Sequence, residues 1–257
     1  MKLNYIPALI SLLSGGFLAL SSAPAQAFSF TTNFDAGSNA PKGDIWLKSV
    51  SLQDGTVIND FALVESAKIL YNDSYRGGNT GAASSEKGDN ASGVKLEGAT
   101  DSSIVASLGN LNLNNIIDTE DSGKFTVNLF FDSKVNRIFF WERGMNSKLA
   151  VQALDAKGNA LGNLLTLNSK NWKYAGYDID NTEINYAQRV GSLGITLAEL
   201  GVSGSVSGIQ LTSQPGFNGP DFKVAAESVP EPATLAGIGL IAGTLLLSRR
   251  RKDAEQA

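Results

Sequence analysis

Short runs in which apolar and polar residues alternate recur along most of the chain. The clearest two are residues 124–131 and 135–142, with Asp132-Ser133-Lys134 between them. Alternation with a period of two puts one face of an extended strand against a core. Because a short polar step between two such runs is typical of a turn, the pattern predicts two strands joined as a hairpin.

Other segments repeat this pattern. Alternating residues and turn residues occur at 44–58, around Asp54-Gly55, and at 149–167, around residues 155–159. The stretch 61–70 fits either a strand or a helix, and its neighbours favour a strand. With many short strands and no segment typical of a soluble helix, the sequence predicts an all-β fold, a jelly-roll-like β-sandwich in preference to an immunoglobulin-like one.

One segment interrupts the alternation. Residues 71–98 are rich in glycine, serine, asparagine and aspartate and hold few large apolar side chains. Such a composition buries too little apolar surface to offset the entropy of ordering the chain. We therefore predict a long flexible loop at about 71–98.

The two ends of the chain differ from the part between them. Residues 1–27 carry Lys2, an apolar stretch at 6–20 and the small residues Ala25 and Ala27. This arrangement is typical of a secretory signal peptide with its cleavage site. Its removal leaves residues 28–228 as one β-sandwich domain, which is long enough to bury its own core.

The C-terminal segment, residues 229–257, has three parts. A Val-Pro-Glu-Pro motif at 229–232 precedes an uncharged apolar run at 233–248, and a basic tail follows at 249–252. An apolar run of about this length with cations directly behind it predicts a single transmembrane helix whose C-terminal end faces the cytoplasm. The residues that define the segment are Val229, Pro230, Glu231, Pro232, Arg249, Arg250 and Arg251.

This order of parts resembles the PEP-CTERM sorting signal of Gram-negative bacteria. The resemblance implies export across the inner membrane and an exosortase as a transient partner, which cuts near the Pro-Glu-Pro. It further implies release to the cell surface or to an extracellular matrix of exopolysaccharide. The helix would then be a temporary membrane anchor.

The composition excludes several classes of function. The chain contains no histidine and no cysteine, and its formal net charge is −4. Without these residues there is no Ser-His-Asp triad, no cysteine nucleophile and no usual zinc site. The negative charge argues against nucleic acid as a partner. We therefore expect a protein that is not an enzyme, and we expect any bound metal to be a hard, oxygen-liganded cation such as Ca²⁺.

A cluster of side-chain oxygens makes the calcium hypothesis concrete. Calcium takes six to eight oxygen ligands in a flexible arrangement. The alternative is that these residues form turns by bonding their own backbone. The candidate ligands are Asn110, Asn112, Asn114, Asp118, Glu120 and Asp121.

A second hypothesis concerns carbohydrate. Trp141, Glu142, Arg143 and Asn146 stand at a predicted strand end. An indole face can stack on a sugar ring while charged and amide groups bond its hydroxyls. Trp172 with Tyr174 is a second candidate for such a face. The alternative is that Trp141 belongs to the core and Glu142 pairs with Arg143 at its rim.

A third hypothesis is a glycan-cleaving enzyme with two carboxylates. Glu142 with either Asp118 or Asp121 would form the pair, which must lie roughly 5–10 Å apart. No other motif supports this chemistry.

Two broader resemblances complete the prediction. The stretch from 147 through 208–211 to 221–224 is similar to galactose-binding-like sandwiches, a fold that serves many functions. The runs at 109–123, 141–146 and 218–223 resemble a group of cyanobacterial exosortase-dependent surface proteins. The leading hypothesis is therefore a non-enzymatic surface or matrix protein associated with exopolysaccharide, and the alternative is a carbohydrate-binding module.

Overall fold

The structure is a computed structural model that describes residues 27–74, 82–85, 97–180 and 186–230. This part of the chain is an all-β sandwich with one α-helix, α1 (Asp101–Leu108). The strands are β1 (Phe30–Ala36), β2 (Ile45–Leu52), β3 (Val57–Ile58), β4 (Phe61–Ala62), β5 (Val64–Asn72), β6 (Ala82–Ser85), β7 (Glu97–Gly98), β8 (Ile116–Thr119), β9 (Phe125–Arg143), β10 (Leu149–Leu154), β11 (Ala160–Leu167), β12 (Lys173–Ile179), β13 (Gln188–Thr196), β14 (Val206–Ser213) and β15 (Phe222–Val229).

Strand β9 is the longest element and links two sheets. Its first half pairs with β5 and β14, and its second half pairs with β13 and β15. The predicted hairpin at 132–134 is therefore wrong, because the chain continues in one direction through these residues. The polar residues 132–134 instead mark the point at which β9 changes its partner strands. There Asp132 exchanges two hydrogen bonds with Leu63, just before β5 begins.

The sheets form three layers. Among the described residues, one 12-stranded sheet divides at β9 into two parts: the front sheet has the order β11-β10-β14-β9-β5, and the middle sheet has the order β12-β13-β9-β15-β8-β6-β7, with β4 also paired to β15. A small sheet, β1-β2-β3, forms the third layer. One core cluster joins the front and middle sheets through residues such as Leu129 and Phe140, and a second joins the middle and small sheets through Phe30, Ile45 and Phe139.

The middle position explains the sequence at the end of β9. Successive side chains of a strand point to opposite faces, so both faces of a strand in the middle layer are buried. Ile138 and Phe140 face the first core, whereas Phe139 and Trp141 face the second. The result is an uninterrupted buried run from Ile138 to Arg143.

Helix α1 is a correction to the prediction that the domain has no soluble helix. Thr100 caps its N-terminus by accepting a bond from the Ser103 backbone N–H, and the Ser103 hydroxyl oxygen accepts one from the Thr100 N–H in return. Ile104 and Leu108 anchor the helix in the first core. The helix is short and its first turn holds serines, which favour caps and turns, so sequence periodicity gave little sign of it.

Parts of the segment predicted as a loop form strands. Within 71–98 the structure describes the end of β5 and strands β6 and β7, and β6 pairs with both β7 and β8. Residues 75–81 and 86–96 of the predicted loop lie outside the described part. The other local predictions agree better: β2 pairs with β3, β10 pairs with β11, and 61–70 is extended as β4 and β5.

Candidate functional site

Trp141 lies in the second core and has no free face. Only 1% of its surface is exposed. Its indole N–H donates to the Thr32 hydroxyl at 2.9 Å, and its ring meets that of Phe30 edge-on with centroids 5.6 Å apart. A sugar ring has no access to this indole, so the structure favours the core interpretation over a stacking face.

Arg143 follows two positions later on the same face and binds two carboxylates. Its Nη2 lies 2.7 Å from Asp118 Oδ2 and 2.7 Å from Asp221 Oδ2, and its Nε donates to Asp221 at 3.1 Å. Asp221 also accepts the Thr119 backbone N–H at 2.9 Å. We call Arg143, Asp118 and Asp221 the arginine brace, because it ties β9 to β8 and to the start of β15.

Burial sets the charge balance of the arginine brace. Burial and the neighbouring Asp118 carboxylate raise the pKa of Asp221 well above its ordinary value, although Arg143 opposes the rise. Burial by itself lowers the pKa of Arg143, but Asp221 and Asp118 together outweigh it and raise that pKa, so the guanidinium stays charged. A buried charge with partners on both sides indicates a structural role, because removing one partner leaves the other charges uncompensated and destabilises the fold.

Glu142 points to the opposite face of the middle sheet. It is fully buried, and one carboxyl oxygen accepts the Ser147 hydroxyl. The turn that brings Ser147 back begins with Gly144 and Met145, both with positive φ. Burial raises the pKa of Glu142 to about 8, although Ser147 and the backbone N–H groups of Met145 and Asn146 oppose the rise.

This pKa predicts a pH-dependent stability. Between the ordinary pKa of about 4.5 and the folded value of about 8, the folded chain holds a proton on Glu142 that the unfolded chain has lost. The contribution of Glu142 to the free energy of unfolding must therefore fall as the pH rises through this window. We expect a lower melting temperature at pH 8 than at pH 5, and a smaller difference in Glu142→Gln. Thermal melts of both proteins at the two pH values test this, and an equal slope in the variant would contradict it.

The asparagines of the calcium hypothesis bond the protein's own backbone. Asn110 Oδ1 accepts the Asn112 N–H at 2.8 Å, and Asn112 Oδ1 accepts the N–H groups of Ile45 and Asn114, each at 3.1 Å. Asn114 donates to the carbonyl of Gly43. This pattern is the turn-forming alternative, and it fixes the connection between α1 and β8 against β2.

The acidic candidates do not form a cluster. Asp118 is bound to Arg143, Glu120 is buried, and Asp121 is exposed. In the described ranges no group of three or more acidic side chains is arranged to hold a metal ion. The described acidic candidates therefore offer no ready metal site, and the calcium hypothesis stays a prediction.

Lys223 is a buried residue that the sequence did not single out. Its Nζ donates to the carbonyl of Ser107 and to Asn110 Oδ1, at the C-terminal end of α1. A cation suits this end of a helix, where carbonyl groups lack partners. Burial lowers the pKa of Lys223 well below its ordinary value. In the sequence, the only sign that Lys223 is buried is its position between the apolar residues Phe222 and Val224.

Tyr174 is the exposed aromatic residue among the predicted sugar-binding candidates. It is 43% exposed, whereas Trp172 is buried and donates its indole N–H to the carbonyl of Ser147. The Tyr174 hydroxyl donates to Asp178 at 2.9 Å, and the Arg189 guanidinium lies 3.9 Å from the ring centroid. We call Tyr174, Asp178 and Arg189 the tyrosine patch.

A shallow cleft lies elsewhere on the surface. Its volume is about 210 Å³, and Phe28, Asp54, Arg137 and Thr196 are among its lining residues. Arg137 is already paired with Glu227 at 2.7 Å. The lining of the cleft is mixed apolar and polar, and its cation, Arg137, already has a carboxylate partner.

The fold and these sites define an all-β sandwich domain with buried ion pairs in its interior. A short C-terminal segment continues from its last strand. That segment matches the family model of the PEP-CTERM protein-sorting motif over residues 228–252. The chain thus carries a PEP-CTERM protein-sorting motif, which implies sorting by an exosortase, export and association with the cell surface. No curated protein matches the chain.

The structure covers only the beginning of this motif. Val229 and Pro230 are described, whereas Glu231, Pro232, Arg249, Arg250 and Arg251 lie outside the described residues, as do the predicted helix at 233–248 and all but Ala27 of the predicted signal peptide. Within the described ranges, no helix is long and apolar enough to cross a membrane.

Proposed function

We propose that the domain is a non-enzymatic component of the cell surface or extracellular matrix that associates with exopolysaccharide. The observation that carries the proposal is the sorting motif at 228–252, which overlaps the last two residues of the domain's last strand. The buried charges support a structural role, because Arg143 binds both carboxylates nearest to it.

The geometry offers little support to a glycan-cleaving enzyme. Successive residues of β9 point to opposite faces, so Glu142 lies on one side of the middle sheet, and Arg143 with Asp118 on the other. A retaining or inverting pair must flank one substrate from the same cleft. Asp121, the other proposed partner, is exposed.

For polymer contact we propose the tyrosine patch. Tyr174 offers aromatic surface at an edge strand of the middle sheet, and Asp178 and Arg189 hold the ring and present polar groups beside it. An aromatic face with flanking hydrogen-bonding groups suits a sugar ring and its hydroxyls. The carbohydrate-binding alternative thus moves from Trp141 to Tyr174.

Substitution of this tyrosine tests the assignment. We expect Tyr174→Ala to weaken binding of purified exopolysaccharide from the source cells by about tenfold, equivalent to about 1.4 kcal/mol. Tyr71→Ala is the matched control, because Tyr71 is similarly exposed, bonds Asp73 and has Lys124 over its ring. Equal affinity in Tyr174→Ala and in the wild type, measured by titration calorimetry, would remove the tyrosine patch from the proposal.

We also propose the jelly-roll, galactose-binding-like type for the sandwich. It is supported by the position of β15, which begins directly after Asp221 and pairs with β9 inside the middle sheet. The likeness to cyanobacterial surface proteins remains a prediction, carried by the runs at 109–123, 141–146 and 218–223.

A further inference from the structure

The sorting motif and the folded domain share residues. The match to the motif begins at residue 228, whereas strand β15 extends to Val229. Ser228 pairs with Val135 and Val229 pairs with Lys134 of β9. The first two residues of the motif are therefore part of the sheet, and no linker separates the domain from the segment that the sorting enzyme handles.

Strand β15 has two parts that differ in how firmly they are held. Residues from Phe222 to Ala226 are all buried, whereas Glu227, Ser228 and Val229 are only half-buried. The register with β9 shifts between Ala226 and Ser228, so a bulge separates the two parts. A bulge interrupts the ladder of hydrogen bonds, so the end of the strand can open while the buried part stays in place.

The end of β15 is held by its pairing with β9, by the pairing of Glu227 with Phe61 of β4, and by a few polar contacts. The Ser228 N–H donates to the Asp60 carbonyl at 3.2 Å, and the Ser133 hydroxyl donates to the Ser228 hydroxyl at 3.0 Å. Glu227 accepts from Arg137 at 2.7 Å. Contacts of this kind at a partly exposed strand end contribute little net stability, so the end opens more often than the core.

We infer that the exosortase acts on a form in which residues 227–229 have detached from β9, so that the domain's last strand limits the rate of its own processing. A membrane peptidase needs its substrate segment as a free extended chain, and here that segment begins inside a sheet. The buried part of β15 keeps the domain folded during this step. This inference rests on the sorting motif and is independent of any polymer binding.

A disulfide across the strand end tests the inference. The Ser133 and Ser228 hydroxyls touch, and the chain has no cysteine of its own. In the full-length Ser133→Cys/Ser228→Cys variant, the two cysteines can form a disulfide after export. This disulfide would fix the end of β15 to β9. We expect processing of this variant in exosortase-containing cells, measured by pulse-chase labelling, to be at least tenfold slower than that of the wild type. The two single-cysteine variants should behave as the wild type, and a reductant should restore the rate of the double variant.

A second variant loosens the same contact. Inserting Gly-Ser-Gly-Ser between Glu227 and Ser228 keeps the motif intact and moves it off the sheet, so we expect processing to become several-fold faster. The same insertion between Ala156 and Lys157, in an exposed turn, is the control and should change nothing. If the disulfide-bonded protein and the linker variant are both processed at the wild-type rate, the enzyme acts before the sheet closes and the inference is wrong.

Discussion

Replacing Arg143 with alanine is expected to lower the free energy of unfolding by about 3–5 kcal/mol, because it leaves two buried carboxylates without their cation. Asp118 and Asp221 each lie 2.7 Å from the guanidinium, and both are largely shielded from water. Urea denaturation of the purified protein measures the change. A loss of this size is a large fraction of the stability of an ordinary domain.

Arg137→Ala is the matched control for this experiment. Arg137 also lies on β9 and pairs with a carboxylate at 2.7 Å, but it and Glu227 are partly exposed. Ion pairs at the surface contribute about 0–1 kcal/mol. If both arginine variants lose the same small amount, the arginine brace does not hold the three segments together as the structure indicates.

The second large effect is expected from Trp141→Ala. Removing an aromatic side chain from a packed core costs about 3–5 kcal/mol, and here the Thr32 hydroxyl also loses the indole N–H that it accepts. A fall of this size, measured by the same denaturation, would place Trp141 in the core in solution. An unchanged stability together with lost sugar binding would instead restore the stacking hypothesis.

Trp46→Ala is the control that separates the effect of burial from the effect of removing any tryptophan side chain. Trp46 lies on β2 and is 42% exposed. Because surface substitutions away from special features usually change stability by no more than about 0.5 kcal/mol, we expect little effect. A loss as large as that of Trp141→Ala would show that burial does not decide the outcome.

The secondary structure was readable wherever a strand has one buried face. Strands β10 and β11 and their turn follow directly from alternation and from the Asp155-containing turn. The predicted hairpin at 132–134 failed for a physical reason: a polar step in the sequence can mark a change of partners as well as a reversal of direction. Only the pairing of β9 with four other strands distinguishes the two.

The candidate site shows a similar limit. The sequence identified Trp141, Glu142 and Arg143 as unusual neighbours, and they are unusual, since all three are buried. Their exposure depends on whether a third layer covers the middle sheet, and alternation within one strand does not contain that information. The partners Asp118 and Asp221 stand far from Arg143 in sequence, so no local pattern predicted the arginine brace. Lys223 was missed for the same reason.

We expect the segment after Pro230 to direct the β domain to the cell surface. Deletion of residues 231–257 tests this expectation, because strand β15 and Pro230 stay intact. Cell fractionation and surface labelling of the full-length and truncated proteins measure the location of each, and the melting temperature of the truncated protein confirms that it folds. We expect the truncated protein to leave the cell envelope and to appear folded in the medium. Unchanged display of the truncated protein at the cell surface would contradict it.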